Sequence, residues 1–275
     1  MSKHEYFIED TTILKMTDVS LAFGEKLIFK DVNLEIKDVR RKDKTTGQII
    51  GFLGPSGRGK TQLFKIISGL RKPTTGEVLV HGKPVNPGDV GVVAQNYPLF
   101  ENLTVKGNLM LGLKKSKNTN AEKKDKIEFY LERFKIADKM DYYPASLSGG
   151  QRQRVAIIQQ VLCSEEFLLL DEPFSGLDIN MIDEVSQVIL EVANLSELST
   201  VIIISHDIDS TVAISNRIWI LGNAVDEKGE QLPGARIKYA DNLMDLGIAW
   251  NYPHIFDMPV FTDYVKSVRN VFHSL

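Results

Sequence analysis

Gly54-Pro55-Ser56-Gly57-Arg58-Gly59-Lys60-Thr61 follows the short apolar run Ile49 to Leu53 and opens the stretch Thr61 to Leu70, which has helical character. A glycine-rich turn between a buried strand and a helix is the setting of a phosphate loop. Glycines let the backbone curl so that successive N–H groups and the helix N-terminus converge on anionic oxygens, where a side chain would obstruct approach. Lys60 is then placed to reach β- and γ-phosphates, and the Thr61 hydroxyl to take a position on Mg²⁺. By composition the bare pattern arises by chance in about one in a hundred chains of this length, before its setting is counted. A mere glycine turn is therefore the weaker reading.

Working outward, strands are expected at Ile13 to Phe23, Val32 to Lys37, Ile49 to Leu53, Glu77 to His81, Val90 to Ala94, Phe167 to Asp171, Thr200 to Ile204 and Arg217 to Leu221. Helical stretches such as Thr61 to Leu70 and Met181 to Leu195 separate them, which implies an α/β fold with a largely parallel sheet. Asn102 to Tyr143 is rich in Lys and Glu, has helical spacing at Ile127, Tyr130, Leu131 and Phe134, and reads as an inserted helical subdomain. The charge-dense Lys37 to Lys44, KDVRRKDK, reads as a solvated hairpin. After Leu221 comes a turn-rich stretch, GNAVDEKGEQLPG, and then Asp263 to Phe272, where Val265, Val268 and Phe272 share one helix face. No role is assigned to this tail.

The chain has 275 residues, 25% charged and 43% hydrophobic, with 33 Lys plus Arg against 36 Asp plus Glu. These are values of a globular protein, and a formal charge of -3 gives no global basic field for nucleic acid. The single cysteine, Cys163, sits in an apolar stretch and reads as a buried small hydrophobe, in keeping with a reducing compartment. Met1 to Asp10 has the pattern of neither a signal peptide nor a transit sequence. No apolar run approaches the ~20 residues needed to span a bilayer, so a membrane role has to come through a partner.

Two further motifs carry chemistry. Phe167 to Glu172, FLLLDE, is an apolar strand ending in paired carboxylates, and an open α/β sheet delivers such acids beside the phosphate loop. Asp171 would hold Mg²⁺ and Glu172 would orient and polarise an attacking water, whereas in isolation strand-terminal acids also serve as helix caps. Leu147-Ser148-Gly149-Gly150-Gln151 precedes a helix from about Arg152 and forms another anion-binding cup. One chain can hardly wrap both cups around one phosphate, so a dimer is inferred. A helix N-cap is the plainer reading of this pentapeptide taken alone.

With these motifs in this order the chain resembles an ATP-binding-cassette (ABC) ATPase, over about Ile13 to Leu221. The resemblance implies a P-loop NTPase core with a mostly parallel sheet, an antiparallel β subdomain and an inserted helical subdomain at about 96–150, within an ATPase domain at 1–221 followed by a 222–275 extension. It further implies a head-to-tail pair, homodimeric or with a closely related second cassette, in which Gly54 to Gln62 of one chain and Ser148, Gly149, Gly150 and Gln151 of the other enclose ATP. Ser148 and Gly150 would face the γ-phosphate. Gln95, after VGVVA, is implied as the sensor of Mg²⁺ and water, Asp178 of SGLD as the link between the two sites, His206 of IIISHD as a switch contacting the γ-phosphate, and Phe23 as the aromatic against adenine. Taken without the resemblance, His206 and Phe23 read as structural residues.

DEPFSGLD and LSGGQRQRVAI are similar to import-type, separately encoded cassettes. That likeness implies an integral membrane transporter subunit as partner, with a substrate-binding protein as a further component, and a location on the cytoplasmic face of the cell membrane. Tyr97, Pro98, Leu99 and Phe100 are expected to form an apolar ledge, with Leu99 and Phe100 partly exposed to that partner. Departures from the pattern are Ile157-Ile158-Gln159-Gln160 in place of the usual Ala-Arg, the unusual Arg58 and Gln62, and extra length at Arg40 to Lys44. Competing functions are a soluble ABC ATPase serving a ribosome, DNA or protein assembly, a weakly active regulatory ATP-binding dimer, and a nucleotide kinase. The kinase has no use for LSGGQ.

Overall fold

A computed structural model of the chain describes residues 5–42, 46–164, 167–195, 199–225, 228 and 230–275. One 10-stranded sheet organises it. In chain order the strands are β1 (Tyr6–Phe23), β2 (Lys26–Arg41), β3 (Gln48–Leu53), β4 (Thr75–Val80), β5 (Lys83–Pro84), β6 (Gly91–Val93), β7 (Phe167–Asp171), β8 (Thr200–Ser205), β9 (Arg217–Val225) and β10 (Gln231–Asn242). Their spatial order is β5-β4-β1-β2-β10-β9-β3-β8-β7-β6. Neighbours from β9 to β6 pair in parallel, while β1 pairs antiparallel with both β2 and β4, and β10 antiparallel with β9.

The parallel strands are apolar on both faces because helices cover both. Alternate residues divide cleanly: Ile49 and Leu53, Leu168 and Leu170, Val201 and Ile203, and Ile218 and Ile220 face one cluster. Ile50 and Phe52, Phe167 and Leu169, Ile202 and Ile204, and Trp219 and Leu221 face the other. Helix α1 (Lys60–Ile67) buries Leu63, Phe64, Ile66 and Ile67 in this second cluster, together with Ile13, Leu14, Met16, Val19 and Leu21 of β1. The helix behind the glycine turn is thus held between the parallel strands and the antiparallel ones.

The remaining helices pack into the first cluster. Helices α2 (Val105–Gly112) and α3 (Asn120–Arg133) lie within Asn102 to Tyr143, where Ile127, Tyr130, Leu131 and Phe134 are all buried, and α4 (Gly149–Cys163) follows them. Helix α5 (Ile179–Ala193) and the two-turn α6 (Ile208–Ile214) flank β8, and α7 (Pro259–Ser274) buries Phe261, Val265 and Val268 with Phe272 packed alongside. Among the described residues no helix is long and apolar enough to cross a membrane.

Three expectations are corrected. Lys37 to Arg41 is no hairpin but the end of β2, paired with Tyr6 to Thr12; Asp38 and Val39 are buried, so the charge run is half core. Asp43 and Lys44 lie outside the described residues. The stretch read as turns is largely strand: β9 continues to Val225 and β10 begins at Gln231, with Asp226, Glu227 and Gly229 outside the described residues. Cys163 is exposed, because it ends α4 beyond the buried pair Val161 and Leu162.

Candidate functional site

The loop from Gly54 to Gly59 joins β3 to α1. Gly57 and Gly59 have φ of 82° and 87°, left-handed conformations that side chains resist. At Gly59 a Cβ would also lie 2.7 Å from Ile28 Cγ2 and 2.9 Å from Phe29 Cε1, so only glycine fits under the antiparallel strands. Gly59 starts α1 without a side-chain cap; Gln62 N–H bonds back to Gly59 O at 2.8 Å, and the N–H groups of Lys60 and Thr61 at the head of the helix suit an incoming acceptor.

A cavity of about 570 Å³ opens at this loop, lined by Ser56, Gly57, Gly59, Lys60, Thr61 and Gln62, by Phe23, Lys26 and Ile28 of the antiparallel side, and by Gln95, Asp171, Glu172 and His206. Lys60 is buried, its Nζ donating to the carbonyls of Gly54 (2.8 Å) and Pro55 (3.2 Å) and lying 3.7 Å from Glu172 Oε1. Burial lowers its pKa against the opposing pull of Glu172 and Asp171. Asp171 moves the other way: burial, and then the neighbouring Glu172, raise it, while Lys60 and Lys65 oppose. Two carboxylates held this close need cationic company.

Glu172 is the most constrained of these residues. Its φ is 50°, unusual for a residue with a side chain, while its N–H donates to Ile204 O at 2.8 Å. Its Oε2 accepts from Ser205 Oγ (3.1 Å) and the His206 N–H (3.2 Å), with His206 Nδ1 at 2.8 Å. One oxygen is thereby pinned by the end of β8, and the other faces Lys60 and the cavity. Gln95 Nε2 donates to Ser175 Oγ at 3.2 Å.

Other residues singled out in the sequence lie outside the cavity lining. Gly54 and Pro55 offer Lys60 their carbonyls. Ser148 and Gly149 are exposed at the start of α4, where Ser148 Oγ accepts from Gln151 N (3.3 Å) and Gln151 Oε1 from Ser148 N (3.0 Å), a closed capping box. Gly150 sits in the first turn of that helix. Asp178 caps α5, accepting from Met181 N at 2.9 Å. Arg58 turns away from the cavity, toward Gln231 and Leu275.

Of the expected ledge only part is open: Phe100 is 58% exposed, but Leu99 is 9% exposed and packs in the core beside α2. Ile157 and Ile158 are buried, Gln159 Nε2 donates to Asn108 O (2.7 Å), and Gln160 Oε1 accepts from Val92 N (3.1 Å). The unusual IIQQ thus ties α4 to α2 and β6. Sequence reasoning passed over Lys26, Ile28, Ser205 and Arg71; the last lies 4.8 Å from the ring of Phe23, which is itself 43% exposed. A hydroxyl ending strand IIIS was the available sign for Ser205; nothing local marked Arg71.

A glycine loop at the C-terminal edge of parallel strands, facing strand-terminal carboxylates, defines a P-loop nucleotide-binding protein. Residues 40–175 match the ABC transporter family. The nitrate import ATP-binding protein NrtD of Synechocystis sp. is 33% identical over 216 residues, 76% of this chain and 78% of that protein. The sulfate/thiosulfate import ATP-binding protein CysA of the same organism is 33% identical over 218 residues, 78% of this chain, which spans 59% of CysA. A solved dimeric ATP-binding cassette in a post-hydrolysis state, bound to ADP and Pi, superposes with a TM-score of 0.66 at 26% identity, over 84% of this chain and 99% of that one. This chain belongs to the ABC transporter family of ATP-binding proteins.

Proposed function

We propose that the chain is the ATP-hydrolysing subunit of an ABC transporter, converting ATP and water to ADP and phosphate in a head-to-tail dimer that drives a separate membrane subunit. The observation that carries it is the single cleft in which Lys60, Thr61, Gln95, Asp171, Glu172 and His206 meet below Phe23. Lys60 takes the β- and γ-phosphates and gives up its loop carbonyls to do so. Glu172, oriented by Ser205 and His206, aligns water toward the γ-phosphorus, and its fixed position removes reorganisation from the step. Phe23, backed by Arg71, offers a face to adenine.

The oxygen donors of Thr61, Gln95 and Asp171 line the same cleft and suit a hard cation, and the raised pKa of Asp171 marks a carboxylate that a cation would relieve. They would hold Mg²⁺, which supplies neutralisation of phosphate charge when bound. The partner's Ser148, Gly149, Gly150 and Gln151 complete the site, with Asp178 at the junction. Ser148 and Gly149 are exposed and all four residues lie outside this chain's own cleft, as a second copy requires. In this reading the exposed Phe100 is the apolar contact for the membrane subunit, the chain sits on the cytoplasmic face, and a substrate-binding protein completes an import system.

Steady-state hydrolysis over a range of protein concentration, beside Glu172→Gln, tests this. Specific turnover should rise with concentration. Glu172→Gln should bind ATP, lose at least about a hundredfold in kcat and accumulate as dimer. Absence of ATP binding by the wild type refutes the phosphate-loop assignment.

A further inference from the structure

Arg58 stands between two left-handed glycines of the phosphate loop, Gly57 and Gly59, yet its side chain leaves the cleft. Nη2 donates to the backbone oxygen of Leu275 at 2.7 Å and Nη1 to Gln231 Oε1 at 3.1 Å. Gln231 Nε2 donates to the same Leu275 oxygen at 2.5 Å. The three groups close a hydrogen-bonded knot between the loop, the first residue of β10 and the residue after α7. Leu275 is itself buried, seated on Gly222 of β9: a Cβ added there would fall 2.3 Å from Leu275 Cδ2.

Building on the ATP-binding reading above, we propose that Arg58 is a positioning residue whose guanidinium fastens the phosphate loop to β10 and α7, so that the phosphate-ready curl of the loop and the seating of the C-terminal helix stabilise each other. A glycine-rich loop loses more conformational freedom on ordering than other segments, and an outside restraint on its crest reduces what a ligand must supply. The planar fork of arginine spans two acceptors at once, which a lysine cannot reproduce. Because coupling is reciprocal, a nucleotide that orders the loop must tighten α7 by the same factor by which release of α7 weakens the nucleotide.

The test uses the full chain with Mg–ATP as probe, comparing wild type, Arg58→Ala, Arg58→Lys, Gln231→Ala and the Arg58→Ala/Gln231→Ala pair. Arg58→Ala should raise both the Kd and the KM for ATP roughly fivefold to tenfold, with kcat changing less than KM. Arg58→Lys should recover part of the loss. Gln231→Ala should have a smaller effect, and the pair should fall short of the product because both groups share one oxygen. Amide exchange across residues 259–275 is the readout that a merely structural role would not move: ATP should slow it in wild type and leave it unchanged in Arg58→Ala.

An unchanged Kd in Arg58→Ala, or α7 exchange indifferent to ATP in a wild type that binds it, overturns the proposal. If wild type binds no ATP, the functional reading falls instead, and the fastening is judged by ligand-free exchange, which Arg58→Ala must accelerate in α7. Should Arg58→Ala not fold, Arg58→Lys and Gln231→Ala carry the same comparison.

Discussion

The phosphate loop and the Ser148 loop are both polar cups at a helix N-terminus, and they satisfy their backbones in opposite ways. Helix α4 is closed by its own residues, with Ser148 and Gln151 exchanging hydrogen bonds. Helix α1 has no side-chain cap, begins from a left-handed glycine, and opens into a cavity whose walls come from four other parts of the chain. The open helix end faces a cleft that its own chain encloses, as the proposed ATP-binding role needs. The closed one is complete as a piece of secondary structure, so any wider role for it is exercised outward, toward another molecule.

The largest expected effect separates two glycines. Gly59→Ala forces a Cβ into Ile28 and Phe29 at left-handed φ, and should cost about 2–4 kcal/mol in urea unfolding and at least about a hundredfold in ATP affinity. Gly149→Ala meets nothing nearer than 3.7 Å and is not left-handed, so stability should hold within about 0.5 kcal/mol and ATP binding to dilute chain should be unaltered. Comparable losses in both variants would erase the distinction between the two cups.

A middle-sized effect belongs to the cap. Ser148→Ala should destabilise the chain by about 1 kcal/mol in thermal unfolding, with ATP affinity at low protein concentration unchanged. A weakened affinity under those conditions would mean that the Ser148 loop communicates with the cleft inside one chain.

The smallest effect concerns the charges of the open cup. The folded pKa of Asp171 lies above its ordinary 3.8, so the folded state binds this proton more tightly than the unfolded state does. Its contribution to stability is therefore greatest below 3.8 and is lost as pH rises through the folded value. Asp171→Asn should give a small rise in denaturation midpoint near pH 7.5 in the absence of nucleotide and metal. The gain over wild type should fade as pH approaches 4, and an advantage independent of pH would assign the effect to something other than ionisation.

How legible these features were depends on whether neighbouring residues alone determine them. The runs Ile49 to Leu53, Phe167 to Leu170 and Val201 to Ile204 are apolar on both faces and read as buried strands without further information. The contiguous loop from Gly54 to Thr61 and the pair Asp171 and Glu172 carried their chemistry in their spacing. Strand β10 did not show, since Gln231-Leu232-Pro233-Gly234 has the composition of a turn and becomes a strand only by pairing with β9. The core side of Lys37 to Arg41 was hidden for a similar reason: β1 runs on far enough to cover it. Leu99 and the IIQQ segment are settled by packing between α2, α4 and β6, and the partner of Arg58 lies 217 residues along the chain.

The interposition of β10 between β2 and β9 makes the nominal tail a seam of the molecule. A chain cut after Leu221 would keep every residue of the nucleotide cleft. It would also bare the edge of β9 from Arg217 to Leu221, which β10 otherwise covers, leaving unpaired N–H and C=O groups of the kind that recruit strands from other molecules. The hazard of such a shortened form is therefore aggregation and strand exchange rather than a missing cleft residue, and a chain trimmed to the cleft needs the last strand and helix as a cover.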